Sequence, residues 1–346
     1  MKKAIFATLL GVLTLSGCTS SEIDEESVQA NAIGFENVVK KPTRGVDDTS
    51  VSGDLTTQNL DEIYVYGYYT PQNNATNYIQ VFYEEKVAKA NNVWTYANTR
   101  YWIPDAKYNF YAYSCGDIKL KNEKGTPTLD LINDQYRVLR ITNYVCDDSH
   151  QHDLIYAFNE GLIGKKVGEG NERVKFDFNH ILTKISAEFV SEFDKDYDVY
   201  VSNVRLQNIR NIGSYDPKAN DNYKWIGVER KESNATVSLS VPEGSKAVAG
   251  GTSVKTGSGY VIPYFYSNGD VQLLFDVVVK KGNEQVLSRH MSGSWSPNWT
   301  IGYNYNYRIR ITGTTANLDK IEFSNMNVNG WAGTGVTDVN ITFTVN

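Results

Sequence analysis

Apolar and polar residues alternate with a period of two along most of the chain, which predicts strands that each bury one face. In "EIYVYGYY", 62–69, Ile63 and Val65 share one face and Tyr64, Tyr66 and Tyr68 the other. "YNFYAYS", 108–114, sets Tyr108, Phe110 and Ala112 against Asn109, Tyr111 and Tyr113. The cleanest case is "YNYNYRIRI", where Tyr303, Tyr305, Tyr307, Ile309 and Ile311 alternate with Asn304, Asn306, Arg308 and Arg310. "VQLLFDVVVK", 271–280, is more continuously apolar and reads as a deeper strand. Gly, Asn and Asp clusters separate these runs, and a short helix or turn fits only near 117–124 and 318–323. The fold class that follows is all-β, with two β-sandwich domains in tandem and few short helices.

One segment marks the division. In "VKFDFNHILTKISAEFV" the apolar set is even-numbered at Val174, Phe176 and Phe178, then odd-numbered at Ile185, Ala187 and Phe189. A one-residue slip exchanges inside for outside, so a strand leaves one sandwich and enters the next near His180. This predicts an N-terminal sandwich over 45–180 and a C-terminal one over 181–346. A single large sandwich with a bulged strand is the other arrangement this pattern allows.

The residues before 45 read differently. Lys2 and Lys3 precede an apolar run from Ala4 to Leu15 that ends in "LSGC" at Cys18, the pattern of a lipoprotein signal peptide over 1–18. A lipidated Cys18 anchors by acyl chains in the outer membrane, with no spanning helix required. "TSSEIDEES" follows as an acidic tether and resembles a surface-export signal of Bacteroides-like lipoproteins. Within 19–44, "AIGFENVV" is a short apolar segment in which Ile33, Phe35 and Val39 share parity, interrupted by Asn37, with Val38 on the other face. Lys40, Lys41, Pro42 and Arg44 come next, then Gly45 and a polar spacer.

Composition narrows the function. The net charge is −6. Residues 1–44 hold five Lys/Arg and five Asp/Glu, so the remainder also carries −6, against a nucleic-acid partner. The 24 tyrosines and 6 tryptophans suit a β-rich extracellular protein. With Cys18 lipidated, Cys115 and Cys146 remain; outside the cytoplasm they could form a disulfide, and sequence leaves their pairing open.

Catalytic chemistry is weakly represented, and no catalytic residue, metal site or cofactor is assigned. "HQHD", 150–153, alternates two imidazoles and reaches a carboxylate, but no zinc-spaced partner follows, so it reads as a solvated loop. His180 fits a paired histidine at the domain junction. "GKKVGEG", 164–170, reads as a hairpin loop, and "GTSVKTGSG", 251–259, as a flexible one. No G-x-S-x-G, phosphate-binding loop or H-E-x-x-H occurs. The loop "SWSPNWTIGY" offers Trp295, Trp299 and Tyr303 as a sugar-stacking surface, although packing beside the "YNYNY" strand is the commoner use of such indoles.

Taken in order, "LSGC", "IGFENVVKKPTRG", "WTYANTRYWIPDAKYNFYAYS", "HDLIYA", "VKFDFNHILTKISAEF", "GYVIPY", "IGYNYNYRIRI" and "IEFSNMNVNGW" make the chain resemble the fimbrillin-like lipoproteins of Bacteroidales, subunits of type V pili. The resemblance implies transthyretin-like or Greek-key sandwiches and a structural role, with no enzymatic activity. It implies a lipoprotein precursor at the cell outer membrane, surface-exposed, cut after Arg44 by an extracellular arginine-specific protease. Cleavage would free the strand carrying Ile33, Phe35, Val38 and Val39. Another pilus subunit would then fill the groove, giving an extracellular head-to-tail polymer that could contact a host or bacterial surface ligand. Many family members carry Ala where this chain has Gly45. A stalk or tip subunit is favoured over an anchor.

Strand physics gives that implication a basis. A sandwich lacking a strand exposes unpaired backbone and an apolar trench, which recruits a complementary strand. "DVNITFTVN" offers Val339, Ile341, Phe343 and Val345 on one face, after a glycine-rich hinge, "GWAGTGVT". It can equally be the last strand of its own domain. A surface glycan-binding lipoprotein built on Trp295 and Trp299 is the competing function.

Overall fold

The structure is a computed structural model describing residues 31–39, 54–74, 76–116, 118–121, 124–132, 136–231 and 235–314. The backbone of 317–318, 322–323, 326–330, 334–337 and 343–345 is also described. Strands are numbered in chain order.

The N-terminal half is organised by a seven-stranded sheet. From one edge it runs β1 (Phe35–Val39), β9 (Val174–His180), β8 (Ile155–Ile163), β5 (Lys107–Ser114), β2 (Glu62–Thr70), β3 (Ile79–Ala90) and β4 (Val93–Thr95). Both faces of its centre are buried, because the period-2 segments are apolar on one side and tyrosine-rich on the other. Ile63, Val65, Tyr108, Phe110 and Ala112 enter one core with Phe176 and Phe178. Tyr64, Tyr66, Tyr68, Tyr111 and Tyr113 enter a second core.

That second core is covered by a four-stranded sheet, β13 (Trp225–Glu229), β12 (Ile212–Tyr215), β7 (Tyr136–Val145) and β6 (Thr126–Ile132). Tyrosine suits this gap, since a ring spans it and a hydroxyl reaches the opposite backbone. Tyr68 and Tyr111 donate to the Arg137 carbonyl at 3.0 and 2.7 Å, and Tyr156 donates to that of Leu139 at 2.8 Å. The β12–β13 hairpin comes from beyond residue 180, yet β12 pairs with β7. Strand pairing therefore crosses the predicted boundary, and Trp225 Nε1 donates to the Ile181 carbonyl at 2.7 Å.

The expected face switch is a break between β9 and β10 (Thr183–Ser191). β10 leaves the first sheet system and pairs parallel with β21 (Tyr303–Ile311). Their sheet continues through β25 (Met326–Gly330) and β26 (Thr334–Thr337), with β15 (Val254–Lys255), β16 (Gly259–Val261) and β24 (Glu322–Phe323) attached. Facing it is β14 (Thr236–Ser238), β11 (Tyr197–Gln207), β18 (Val271–Lys281), β19 (Glu284–Trp295) and β27 (Phe343–Val345). Phe189, Phe275, Val277, Trp299 and Ile309 lie in the core of this second sandwich. Two short pairs complete the description: β17 (Tyr264–Phe265) with β20 (Asn298–Trp299), and β22 (Gly313–Thr314) with β23 (Asn317–Leu318).

Three local expectations change. Residues 251–259 are not simply a loop, because β15 and the start of β16 extend β10. The glycine-rich "GWAGTGVT" contributes β26 to a hairpin with β25. At the two ends of 318–323, where a short helix or turn was expected, lie the short strands β23 and β24, and residues 319–321 fall outside the described residues. The loop at 164–170 does connect the antiparallel strands β8 and β9 as expected.

Candidate functional site

The edge strand β1 and the core beneath it form the candidate site. β1 runs parallel to β9, with Phe35 opposite Val174, Asn37 opposite Phe176 and Val39 opposite Phe178. Alternation sends Phe35, Asn37 and Val39 inward and leaves Glu36 exposed, with Val38 half-buried. Ile33, Phe35 and Val39 are almost wholly buried in the same core. The Phe35 ring stacks on Phe176 at 5.8 Å and meets Phe82, Tyr96 and Phe110 edge-on at 5.4, 5.7 and 6.3 Å. Burial of such side chains contributes about 1.5–3 kcal/mol each, so three apolar residues hold this strand in its seat.

The ends of β1 are tied to other parts of the chain. Ile33 N–H donates to the Arg100 carbonyl at 2.8 Å, and Trp102 N–H donates to that of Asn31 at 3.1 Å. Tyr96 donates to the Ile33 carbonyl at 2.7 Å. At the other end a single hydroxyl clips the backbone. Thr57 Oγ1 accepts from Val39 N–H at 3.0 Å and donates to the Val39 carbonyl at 3.1 Å. Between these ends sits an anomaly: the buried Asn37 amide has neither Nδ2 nor Oδ1 hydrogen-bonded among the described residues. A buried unmade hydrogen bond costs about 1–3 kcal/mol, which offsets part of what the apolar neighbours contribute.

Where description resumes, the chain is fixed again. Asp54 accepts from Lys184 Nζ and from the Tyr260 hydroxyl, each at 2.6 Å. Leu55 N–H donates to Asp153 at 2.8 Å, and Asp153 also meets His180 Nδ1 at 3.0 Å. Burial, with the nearby charges of Asp153 and Asp54, pushes the Tyr260 phenol far above its ordinary value, so it stays a neutral donor. These residues lie at the passage from β9 to β10. The histidine expected at the junction is thus paired there.

Other sequence expectations land elsewhere. "HQHD" is not a solvated loop: His150 and Asp153 are buried, and among the described residues no His, Cys, Asp and Glu cluster fits a metal ion. Trp295 and Trp299 do not form a sugar-stacking surface. Trp299 has 0% exposure, and both indoles donate to the Tyr307 hydroxyl, at 3.3 and 2.9 Å, inside the second core. Tyr303 only packs against that core. A ring with no accessible face cannot stack on a sugar. The disulfide is also absent: Cys115 and Cys146 are buried in the tyrosine core without an S–S bond between them. Cys146 Sγ donates instead to the Tyr260 carbonyl at 3.0 Å.

Cys18, Arg44, Gly45, Val339 and Ile341 lie outside the described residues. Phe343 and Val345 belong to β27, which pairs antiparallel with Met291–Gly293 on the edge of β19 in its own chain. The Thr57 clip and the Asp54–Lys184 pair carry no sequence signature, since both join residues far apart in the chain. A lysine in the strongly apolar "HILTKISAEF" was the available hint for Lys184.

Tandem sandwiches, with a core closed by one edge strand, define a β-structural class of protein, and the relatives agree. The fimbrillin-like family matches residues 43–331, and the chain belongs to that family. The family is one of non-enzymatic structural proteins with a pilus or adhesin role at the cell surface. Among solved structures, a fimbrial protein from Bacteroides vulgatus is 18% identical, with 87% of this chain and 100% of that one covered and a TM-score of 0.57. A candidate cell adhesion protein from Bacteroides uniformis is 17% identical over 87% of this chain and 98% of that one, with a TM-score of 0.48. No curated protein matches.

Proposed function

We propose that the chain is a stalk or tip subunit of a type V pilus that polymerises by strand exchange after cleavage following Arg44. The observation that carries this reading is the position of Arg44 between two fixed points. On one side Val39 ends an edge strand seated in a core; on the other Asp54 and Leu55 are held at the domain junction. A cut between them severs β1 from the rest of the polypeptide while leaving every other strand covalently joined. The lipid on Cys18 departs with it.

The vacated seat would expose the β9 edge and an apolar trench, the conditions for β-strand addition. Residues 339–345 of a second subunit supply the alternating apolar strand. They would leave the edge of β19, where β27 is paired over three of the described residues. Such a contact joins two different surfaces, so it repeats into a filament instead of closing. The outer membrane, an arginine-specific protease and other pilus subunits are the partners this cycle requires, and adhesion to a host or bacterial surface ligand can accompany it.

The test is proteolysis of the purified precursor with an arginine-specific protease. The expected product begins at Gly45 and forms SDS-resistant ladders, whereas Arg44→Ala protein stays monomeric. Deleting 338–346 should leave a folded, cleavable monomer without ladders. Unchanged ladders from either variant would overturn the reading.

A further inference from the structure

Resting on the exchange reading, we infer that Asn37 makes β1 a temporary occupant, and that its place in the groove is built for an apolar residue from the C-terminal strand of a second copy. Asn37 is 7% exposed and sits in the inward row with Phe35 and Val39, opposite Phe176. Neither atom of its amide is paired among the described residues. The other three inward positions, Ile33, Phe35 and Val39, are apolar. The seat thus accepts three of four side chains well and one poorly.

The strand at 339–345 has four apolar residues at alternate positions, Val339, Ile341, Phe343 and Val345. Laid over 33–39 in the direction of β1, it puts Phe343 where Asn37 was. Laid in the opposite direction, it puts Ile341 there. Either way a buried, unpaired amide is exchanged for an apolar side chain, and the other three positions stay apolar. Replacement is therefore favourable at one identifiable position, whichever direction the incoming strand takes. Before cleavage, covalent connection keeps β1 at very high local concentration and its poorer fit is tolerated. Cleavage removes that advantage, and the amide then decides which strand remains.

The experiment compares full-length wild type with Asn37→Leu, a near match in volume. Both are cut with the arginine-specific protease and offered a synthetic 338–346 peptide, while release of the fragment ending at Arg44 is followed by mass spectrometry. The Leu variant should unfold at higher urea as intact precursor, and after cleavage release its fragment about tenfold more slowly. A second arm keeps the wild-type protein and carries Ile341→Asn and Phe343→Asn in the peptide, which should displace the fragment poorly. Equal release from both proteins, or equal potency of both peptides, overturns the role of Asn37 and leaves strand exchange standing. Wild-type protein that releases no fragment to any peptide overturns strand exchange itself.

Discussion

The two faces of the seven-stranded sheet are covered in opposite ways. The tyrosine face is closed by four strands, and hydroxyls of Tyr68, Tyr111 and Tyr156 bond directly to backbone carbonyls of β7. Those bonds are directional and end on two carbonyls of one covering strand, at Arg137 and Leu139. The phenylalanine face is closed at its edge by β1, through ring contacts of Phe35 and a single-threonine clip at Val39. Apolar contacts are non-directional, so another strand of similar pattern can replace them. Under the proposed exchange, one sheet would carry a permanent core and a replaceable one, and side-chain chemistry would separate the two.

Mutations at each face should break this contrast in different ways. The largest effect is expected from Phe35→Ala, which removes a ring from a full core and should lower precursor stability by about 3–5 kcal/mol in urea titrations. The mature form, having lost β1, should be indifferent to it. Next comes Asp54→Ala, which strands the buried Lys184 ammonium. A loss of about 3 kcal/mol is expected in precursor and mature protein alike, because residue 54 stays after cleavage. Tyr111→Phe removes the one O–H shared between the Arg137 carbonyl and the Glu160 carboxylate, for a loss of about 1–2 kcal/mol, again in both forms. Thr57→Val should cost about 1 kcal/mol in the precursor only and speed fragment loss after cleavage several-fold, read by size-exclusion chromatography.

The smallest effect comes from His150 and shows only below neutral pH. His150 lies against Tyr144 in the tyrosine face, and burial first, then the charge of Lys124 and neighbouring His152, pushes its pKa down to about 4. The unfolded chain takes up this proton near the ordinary value of 6.5, while the folded chain resists until about 4. Between those limits the unfolded state binds more protons, so stability falls as pH drops. Urea midpoints measured from pH 7 to pH 4 should decline, and His150→Gln should flatten the decline.

Much of this division was legible in residue order. The alternation at 62–69 and 108–114 assigns Ile63, Val65 and Phe110 to one face and Tyr64, Tyr66 and Tyr111 to the other, and the two cores divide that way. The parity change near His180 marks the passage between sheets. The apolar residues of β1 and the interruption at Asn37 were also visible. What could not be read was the meaning of that interruption, because a polar residue in an inward row is harmless if paired, and pairing is a tertiary fact. The "HQHD" stretch was misplaced for the same reason, while the two indoles took the packing role that was the commoner expectation and not the sugar-stacking one: residue type gives chemistry, and burial decides whether that chemistry is available.

By itself the sequence determined the long alternating strands and which way their side chains point, since a period of two is a local property of the backbone. Only the tertiary structure decided which strands are neighbours. It laid β1 parallel to β9, brought β12 and β13 back across the boundary to cover the tyrosines, and placed Thr57 beside Val39. Strand pairing joins distant residues through backbone groups that are alike in nearly every amino acid, so its partners leave little trace in local sequence.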